Sequence, residues 1–207
     1  SYSVTGVQTC ALPISAQILS LVCRDRQYAS RLQAALQRYR NRTTDIPRVF
    51  DTGIPVVTRL PVKQWVCFFL ARTLGQLADP QLVDFLIATL AESPAEAATG
   101  RPDPLVPGVL FLHNELTPCW RAAVAWALGR IGDPRAVPVL LRIAGDFDNA
   151  TDTRHAAAEA LERIAYPPSL PALRQLALDY PEFSTRRALL KASAALEPTP
   201  RLTAQHD

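Results

Sequence analysis

The chain has 207 residues, of which 48% are hydrophobic and 20% are charged, and its formal net charge is +3. This length suits one domain with a buried core, and no apolar run approaches the roughly 18 residues of a membrane-spanning helix. Composition therefore argues against a disordered chain and an integral membrane protein. Leaving out Cys10, the cysteines Cys23, Cys67 and Cys119 form no CxxC pair and have no His at ligand spacing. They indicate small apolar residues in a reducing, cytoplasmic protein rather than a disulfide or zinc site.

Residues 1–14 look foreign to the rest of the chain. Val4 to Ile14, VTGVQTCALPI, resembles the in-frame translation of a common sequencing adapter, and the chain contains no Met. A secretion signal would begin with basic residues, but residues 1–22 have no Lys or Arg, and Pro13 cannot donate to a strand ladder. We therefore expect residues 1–14 to be an unstructured adapter artefact, in a bacterial metagenomic fragment whose native start lies upstream.

Residues 15–63 are predicted to contain a basic helix followed by an extended connector. The stretch RQYASRLQAALQRYRNR places Tyr28, Leu32, Ala35, Leu36 and Tyr39 on one helical face, with arginines on the others. The following DIPRVFDTGIPVVTRLP is punctuated by prolines. Two interpretations stay open for the helix: a truncated repeat or cap with a solvated charged side, or a contact with a membrane surface or nucleic acid.

Internal repetition decides the fold of the remaining chain. Three stretches align at offsets of 54 and 33 residues: ARTLGQLADPQLVDFL from Ala71, AWALGRIGDPRAVPVL from Ala125 and AEALERIAYPPSLPAL from Ala158. A fainter fourth copy, TRRALLKASAAL, begins at Thr185.

Each copy is predicted to form a helix, a tight turn and a second helix. In the second copy Gly132 suits the left-handed end of the first helix, Asp133 suits the N-cap of the next helix, and Pro134 suits its first position. The corresponding turn residues elsewhere are Asp79, Pro80 and Pro167. A single pair leaves an apolar face uncovered, so the pairs must stack. We predict an all-α fold, an α-solenoid of stacked antiparallel helix pairs.

The segment WRAAVAWALGRIGDPRAVPVLLRIA resembles a HEAT-like repeat of the phycobilisome-lyase type. The resemblance covers about residues 65–90 and 119–196, with Ala78 replacing the turn glycine in the first copy and Tyr166 replacing the capping Asp in the third. It implies the solenoid fold, and members of the family range from scaffolds to a few enzymes. We place the repeat domain at 64–198, with an inserted loop at 92–118 and a tail at 199–207.

Two regions are predicted to bind a partner. The insertion includes VLFLHNEL, with Phe111 and His113, and insertions in solenoids often lie on the binding face, although a plain surface connection is the alternative. The second helices, which line the concave face in HEAT-like solenoids, carry Arg135, Arg142 and Arg174. Because Asp84 and Asp179 accompany them, this face is mixed in charge, which favours a protein partner over nucleic acid.

Catalytic and metal sites are not indicated. Some HEAT-like proteins are diiron hydroxylases with His-Glu dipeptides, which this chain lacks, and His155 with Glu159 predicts an exposed helix pair. The acidic DFDNATD does not fit a calcium loop, and we expect Thr151 or Asp152 to cap the following helix. We predict no catalytic residue, no metal and no cofactor.

An arginine recurs near the start of the first helices, at Arg121, Arg154 and Arg186. It predicts either a structural ladder between neighbouring units or a surface for an acidic partner. For the whole chain we expect a non-catalytic module for protein–protein interaction or scaffolding. The alternatives are a nucleic-acid-binding HEAT-like protein and a HEAT-like enzyme such as a bilin lyase.

Overall fold

The computed structural model describes residues 15–19, 21, 23–40, 48–51, 55–58, 62–92, 119–178 and 180–197. Its α-helices are α1 Ala29–Arg40, α2 Val62–Leu77, α3 Val83–Glu92, α4 Trp120–Ile131, α5 Val137–Gly145, α6 Thr151–Ile164, α7 Leu170–Leu178 and α8 Phe183–Ala195. Residues 15–19 are also helical. The predicted artefact at 1–14, the loop residues 93–118 and the tail at 199–207 lie outside the described residues.

The helices stack as an α-solenoid, which confirms the predicted fold class. First helices α2, α4, α6 and α8 pack side by side, and the second helices α3, α5 and α7 each pack against the first helix of the following unit. The buried apolar residues of this arrangement form one continuous cluster from Cys23 to Ala192. Each unit therefore obtains its core from its neighbours.

The predicted extended connector pairs with itself. Strands β1 Arg48–Asp51 and β2 Pro55–Thr58 form an antiparallel two-stranded sheet in which Val49 lies opposite Val57. The predicted extended backbone is confirmed for the described residues 48–51 and 55–58. The proline-punctuated sequence contains no signal for their pairing.

The turn between the two helices of a unit follows the predicted chemistry. Gly132 has a φ of 78°, and its N–H donates to the carbonyl oxygen of Leu128 at 3.0 Å. The Asp133 carboxylate then accepts the N–H of Arg135 at 2.9 Å. In the first copy the Asp79 carboxylate accepts the N–H of Gln81 at 3.0 Å. The three turn prolines, Pro80, Pro134 and Pro167, each open a 3₁₀ turn that leads into the second helix.

Small residues let the first helices approach closely. A Cβ added to Gly75 would lie 2.7 Å from the Cα of Ala127, and one added to Gly129 would lie 2.7 Å from the Cα of Ala160. Because a real Cβ cannot be that close to another backbone, glycine at these two positions sets the spacing between α2 and α4 and between α4 and α6.

The expected cap of α6 is wrong. Thr151 is the first residue of the helix and Asp152 lies in its first turn, whereas the N-cap is Ala150, with no side-chain hydrogen bond. The Thr151 hydroxyl accepts a hydrogen bond from Arg154 at 3.1 Å. The Asp152 carboxylate still favours the helix through the dipole.

Helix α1 has the geometry of a further second helix. Asp25 accepts the N–H of Gln27 at 2.9 Å and precedes a 3₁₀ turn, Arg26–Tyr28, as Asp79 and Asp133 precede theirs. Each of these aspartates lies 54 residues after the previous one (79 − 25 and 133 − 79). Since α1 also packs against the next first helix, α2, we interpret it as the second helix of an additional unit.

Side-chain contacts of the basic helix support the same interpretation. Leu32 and Leu36 are buried against the core, while Tyr28 is exposed in the preceding 3₁₀ turn. Arg26 donates to the carbonyl oxygens of Leu77 and Ala78, each at 3.2 Å. These arginine contacts satisfy carbonyls at the end of α2, which have no partner within the helix.

Candidate functional site

An open groove of about 600 Å³ lies between the second helices α5 and α7. We call it the Phe147 groove. Among the described residues, most of its lining is apolar and the one charged group is a guanidinium. These lining residues are Leu141, Arg142, Phe147, Ala172, Gln175, Leu176 and Tyr180.

The two sides of the groove are built from equivalent repeat positions. Phe147 and Tyr180 are 33 residues apart, as are Arg142 and Gln175, and 33 is the offset between the second and third copies. Phe147 follows α5 and Tyr180 follows α7, in the short loops that lead to the next first helix. The repeat therefore places an aromatic ring at the same end of both helices.

Phe147 is exposed yet held in place. Its relative exposure is 52%, its ring centroid lies 5.3 Å from that of Tyr180, and the guanidinium carbon of Arg154 lies 4.9 Å from the ring centroid. A large apolar side chain that is half exposed and already fixed loses little conformational entropy on binding. Such rings are typical anchors of protein interfaces.

Tyr180 forms the buried wall of the groove. Its hydroxyl donates to the carbonyl oxygen of Ala144 at 2.5 Å, and only 4% of the residue is exposed. Burial raises the pKa of Tyr180 to about 12, because removal from water disfavours the charged phenolate. The hydroxyl therefore remains a hydrogen-bond donor at neutral pH and ties Tyr180 to the last turn of α5.

Two buried arginines fix the loop that carries Phe147. Arg121 donates to the side-chain oxygen of Asn149 at 2.8 Å. Arg154 donates to the carbonyl oxygens of Phe147 at 3.1 Å and Asn149 at 2.6 Å, and it forms an ion pair with Glu182. Arg121 contacts Asn149 and Arg154 contacts Glu182, in each case 28 residues later in the chain. Asn149 and Glu182 are themselves 33 residues apart, so the two contacts occupy the same position in successive repeats. The predicted structural ladder is confirmed for Arg121 and Arg154, while Arg186 is exposed.

Of the residues predicted to bind a partner, Arg142 lies in the groove. Arg135 instead pairs with Asp84 at 2.9 Å and with Asp133 at 2.8 Å, and its hydrogen bonds lower the pKa of Asp133. Arg174 pairs with Glu197 at 2.7 Å. Phe111 and His113 lie outside the described residues, so their role stays a prediction.

The groove residues other than Arg142 were not identified from the sequence. Leu141 and Leu176 fit an ordinary apolar pattern, and Phe147 lies in an acidic turn whose sequence invites comparison only with a calcium loop. The 33-residue interval between Phe147 and Tyr180 is the signal that would have found the aromatic pair.

A second groove, of about 400 Å³, lies between α6 and α8. Its lining carries charges of both signs and includes Phe183, which is 79% exposed; the charged lining residues are Glu159, Glu162, Arg187 and Lys191. His155 also lines it, and its Nε2 lies 3.6 Å from an oxygen of Glu159, which confirms the predicted helix pair.

The described part of the chain has neither a metal-binding cluster nor a membrane-spanning helix. Within it, no group of three or more His, Cys, Asp or Glu residues is arranged to hold a metal ion. Among the same residues, no helix has both the length and the apolar character needed to cross a bilayer. Cys23 and Cys67 are buried, and the Cys119 sulfur lies 2.8 Å from the Thr153 hydroxyl oxygen.

Comparison with known proteins agrees with the architecture. Residues 111–194 match the sequence pattern of HEAT repeats, a segment that includes α4 to α7 and most of α8. No curated protein matches the chain. The matched segment is therefore similar to HEAT repeats, and the stacked helices of the structure have the architecture expected for such repeats.

Proposed function

We propose that this chain is a non-catalytic module that binds another protein, and that the Phe147 groove is the binding site. The observation that carries the proposal is a half-exposed aromatic ring held at the edge of an apolar groove. HEAT repeats commonly mediate protein–protein interaction, which makes a protein the first partner class to test. We expect the module to work in a reducing, cytoplasmic setting.

Preorganisation favours binding at this groove. Arg121 and Arg154 fix the loop before a partner arrives, and Tyr180 is tied to α5 by its hydroxyl. A partner side chain that fills the groove therefore gains apolar burial, at about 25 cal/mol per Å², without ordering the loop.

Charge favours a protein over nucleic acid on this surface. Arg135 and Arg174 are exposed but each contacts a carboxylate, so their positive charge is already partly neutralised. Phosphate binding depends on several cations acting together. The nucleic-acid and bilin-lyase alternatives remain predictions from the sequence.

The test is selection of binding peptides from a random library displayed on phage, with the full chain immobilised. Enriched peptides are then synthesised, and their dissociation constants are measured by fluorescence polarisation. Phe147→Ala removes the exposed ring of the proposed site. Phe183→Ala removes an exposed ring from the second groove and is the matched control. Thermal unfolding of both variants verifies that the fold is retained.

We expect peptides with micromolar affinity, a loss of at least about tenfold in Phe147→Ala, and unchanged binding in Phe183→Ala. Failure to enrich any binding peptide would overturn the proposal. So would peptides that lose affinity in Phe183→Ala but not in Phe147→Ala, because they would place the site between α6 and α8.

A further inference from the structure

Arg142 is the one charged residue among the described residues that line the Phe147 groove, and it is exposed. Gln175 occupies the equivalent repeat position across the groove and offers an amide that can both donate and accept hydrogen bonds. The other lining residues that the structure describes are apolar apart from the Tyr180 hydroxyl, which already donates to the carbonyl oxygen of Ala144. The groove thus combines one cation, one amide and a broad apolar surface.

Neighbouring charges do not neutralise Arg142 in the part of the chain that the structure describes. Arg154 pairs with Glu182 and Arg174 pairs with Glu197, so those two acids are engaged elsewhere. The Asp146 carboxylate accepts the N–H of Asp148 at 3.0 Å, and neither of these aspartates lines the groove. Arg142 is therefore the cation that a ligand in the groove meets.

We propose that the groove recognises a peptide segment of a partner protein in which a large apolar side chain lies close to a carboxylate. This inference rests on the proposed function. The apolar side chain packs against Phe147, Leu141 and Leu176, and the carboxylate binds Arg142. Guanidinium and carboxylate geometries match, and their charge-assisted hydrogen bonds are stronger than neutral ones. A single cation suits one carboxylate, whereas a nucleic-acid backbone would need several.

The experiment uses one binding peptide from the selection and its variant with the acidic residue changed to Lys. Both are titrated against the wild-type chain and Arg142→Glu. The control is Arg31→Glu, which reverses an exposed arginine on α1, away from the groove. We expect the Lys variant to bind the wild-type chain about threefold to tenfold more weakly and to recover affinity with Arg142→Glu. Arg31→Glu should discriminate between the two peptides as the wild-type chain does.

The outcomes separate this inference from the proposed function. If the peptides depend on Phe147 but contain no preferred acid, or if Arg142→Glu does not reverse the preference, the carboxylate assignment is wrong and the protein-binding groove stands. If no peptide depends on Phe147, the proposed function itself fails. A dimer in light scattering that Phe147→Ala dissociates would identify a second copy of the chain as the occupant, and it would also overturn the inference.

Discussion

Ala78 and Ala165 adopt left-handed backbone conformations, with φ of 47° and 48°, where the second copy has Gly132 at φ 78°. This conformation costs a residue with a Cβ about 1–2 kcal/mol. Glycine avoids that cost, but it loses more conformational entropy on folding than alanine does, which offsets part of the gain. We expect Ala165→Gly to raise the free energy of unfolding by roughly 0.5–1 kcal/mol. Urea denaturation measures the change.

Gly132→Ala is the reciprocal control. A Cβ added at Gly132 meets no atom within 4 Å, so the substitution reports the backbone cost alone. It should lower the free energy of unfolding by about 1 kcal/mol or more. A stabilised Gly132→Ala, or a destabilised Ala165→Gly, would show that the turns are not strained at these positions.

The raised pKa of Tyr180 predicts that the free energy of unfolding falls at alkaline pH. Its folded pKa of about 12 is above the value of about 10 for an exposed phenol, so the folded state holds its proton more tightly than the unfolded state. The resulting stabilisation is complete below pH 10 and is lost as pH rises toward 12. Ultraviolet titration should show one tyrosine ionising near pH 12 that is missing in Tyr180→Phe.

Tyr180→Phe also removes a buried hydrogen-bond donor, which should cost about 1–2 kcal/mol at neutral pH. Tyr28→Phe, at an exposed tyrosine, is the control and should change neither stability nor the high-pH ionisation. If the phenol lost in Tyr180→Phe is one that ionises near pH 10, and the step near pH 12 remains, the buried donor is contradicted.

Between elements, the arginine ladder ties the first helices α4 and α6 to the loops that lead into the next first helix. Arg121→Leu leaves the buried side chain of Asn149 without its donor, so we expect a loss of about 1–3 kcal/mol. Arg186→Leu changes the corresponding but exposed arginine of α8, and it should stay within about 0.5 kcal/mol of wild type. Equal effects of the two substitutions in urea denaturation would mean that the ladder does not stabilise the solenoid.

Elements whose signals are local could be predicted from the sequence. The turn at Gly132, Asp133 and Pro134 is specified by three adjacent residues, and the helices on either side follow from apolar spacing. The cap of α6 was missed because the Thr151 hydroxyl accepts a hydrogen bond from Arg154, a contact that propensity does not reveal. The hairpin was missed because pairing depends on register between separated residues.

At the scale of the whole molecule, the groove could not be predicted because its parts come from two units. Arg142 was predicted to bind a partner from its place on a second helix, and it lies in the groove. Arg135 and Arg174 share that placement but contact acids instead. Pairing of this kind depends on how neighbouring units align. It becomes visible only once the helices are stacked.

The two long connections of the chain lie at the same position in the repeat as the loop that carries Phe147. Residues 41–61 join α1 to α2, the connection containing 93–118 joins α3 to α4, and residues 146–150 join α5 to α6. All three follow a second helix and precede a first helix. The predicted binding role of the insertion at 92–118 is therefore a hypothesis about the same repeat position as the Phe147 loop.

The most direct measurement is photo-crosslinking of a selected peptide to a benzophenone-bearing phenylalanine analogue placed at position 147 or, in a second sample, at position 183. The two positions carry the exposed rings of the two grooves. We expect the peptide to crosslink at position 147 and not at position 183, with mass spectrometry locating the attached apolar residue beside an acidic one. A peptide that binds but crosslinks only at position 183, or at neither position, would contradict binding at the Phe147 groove.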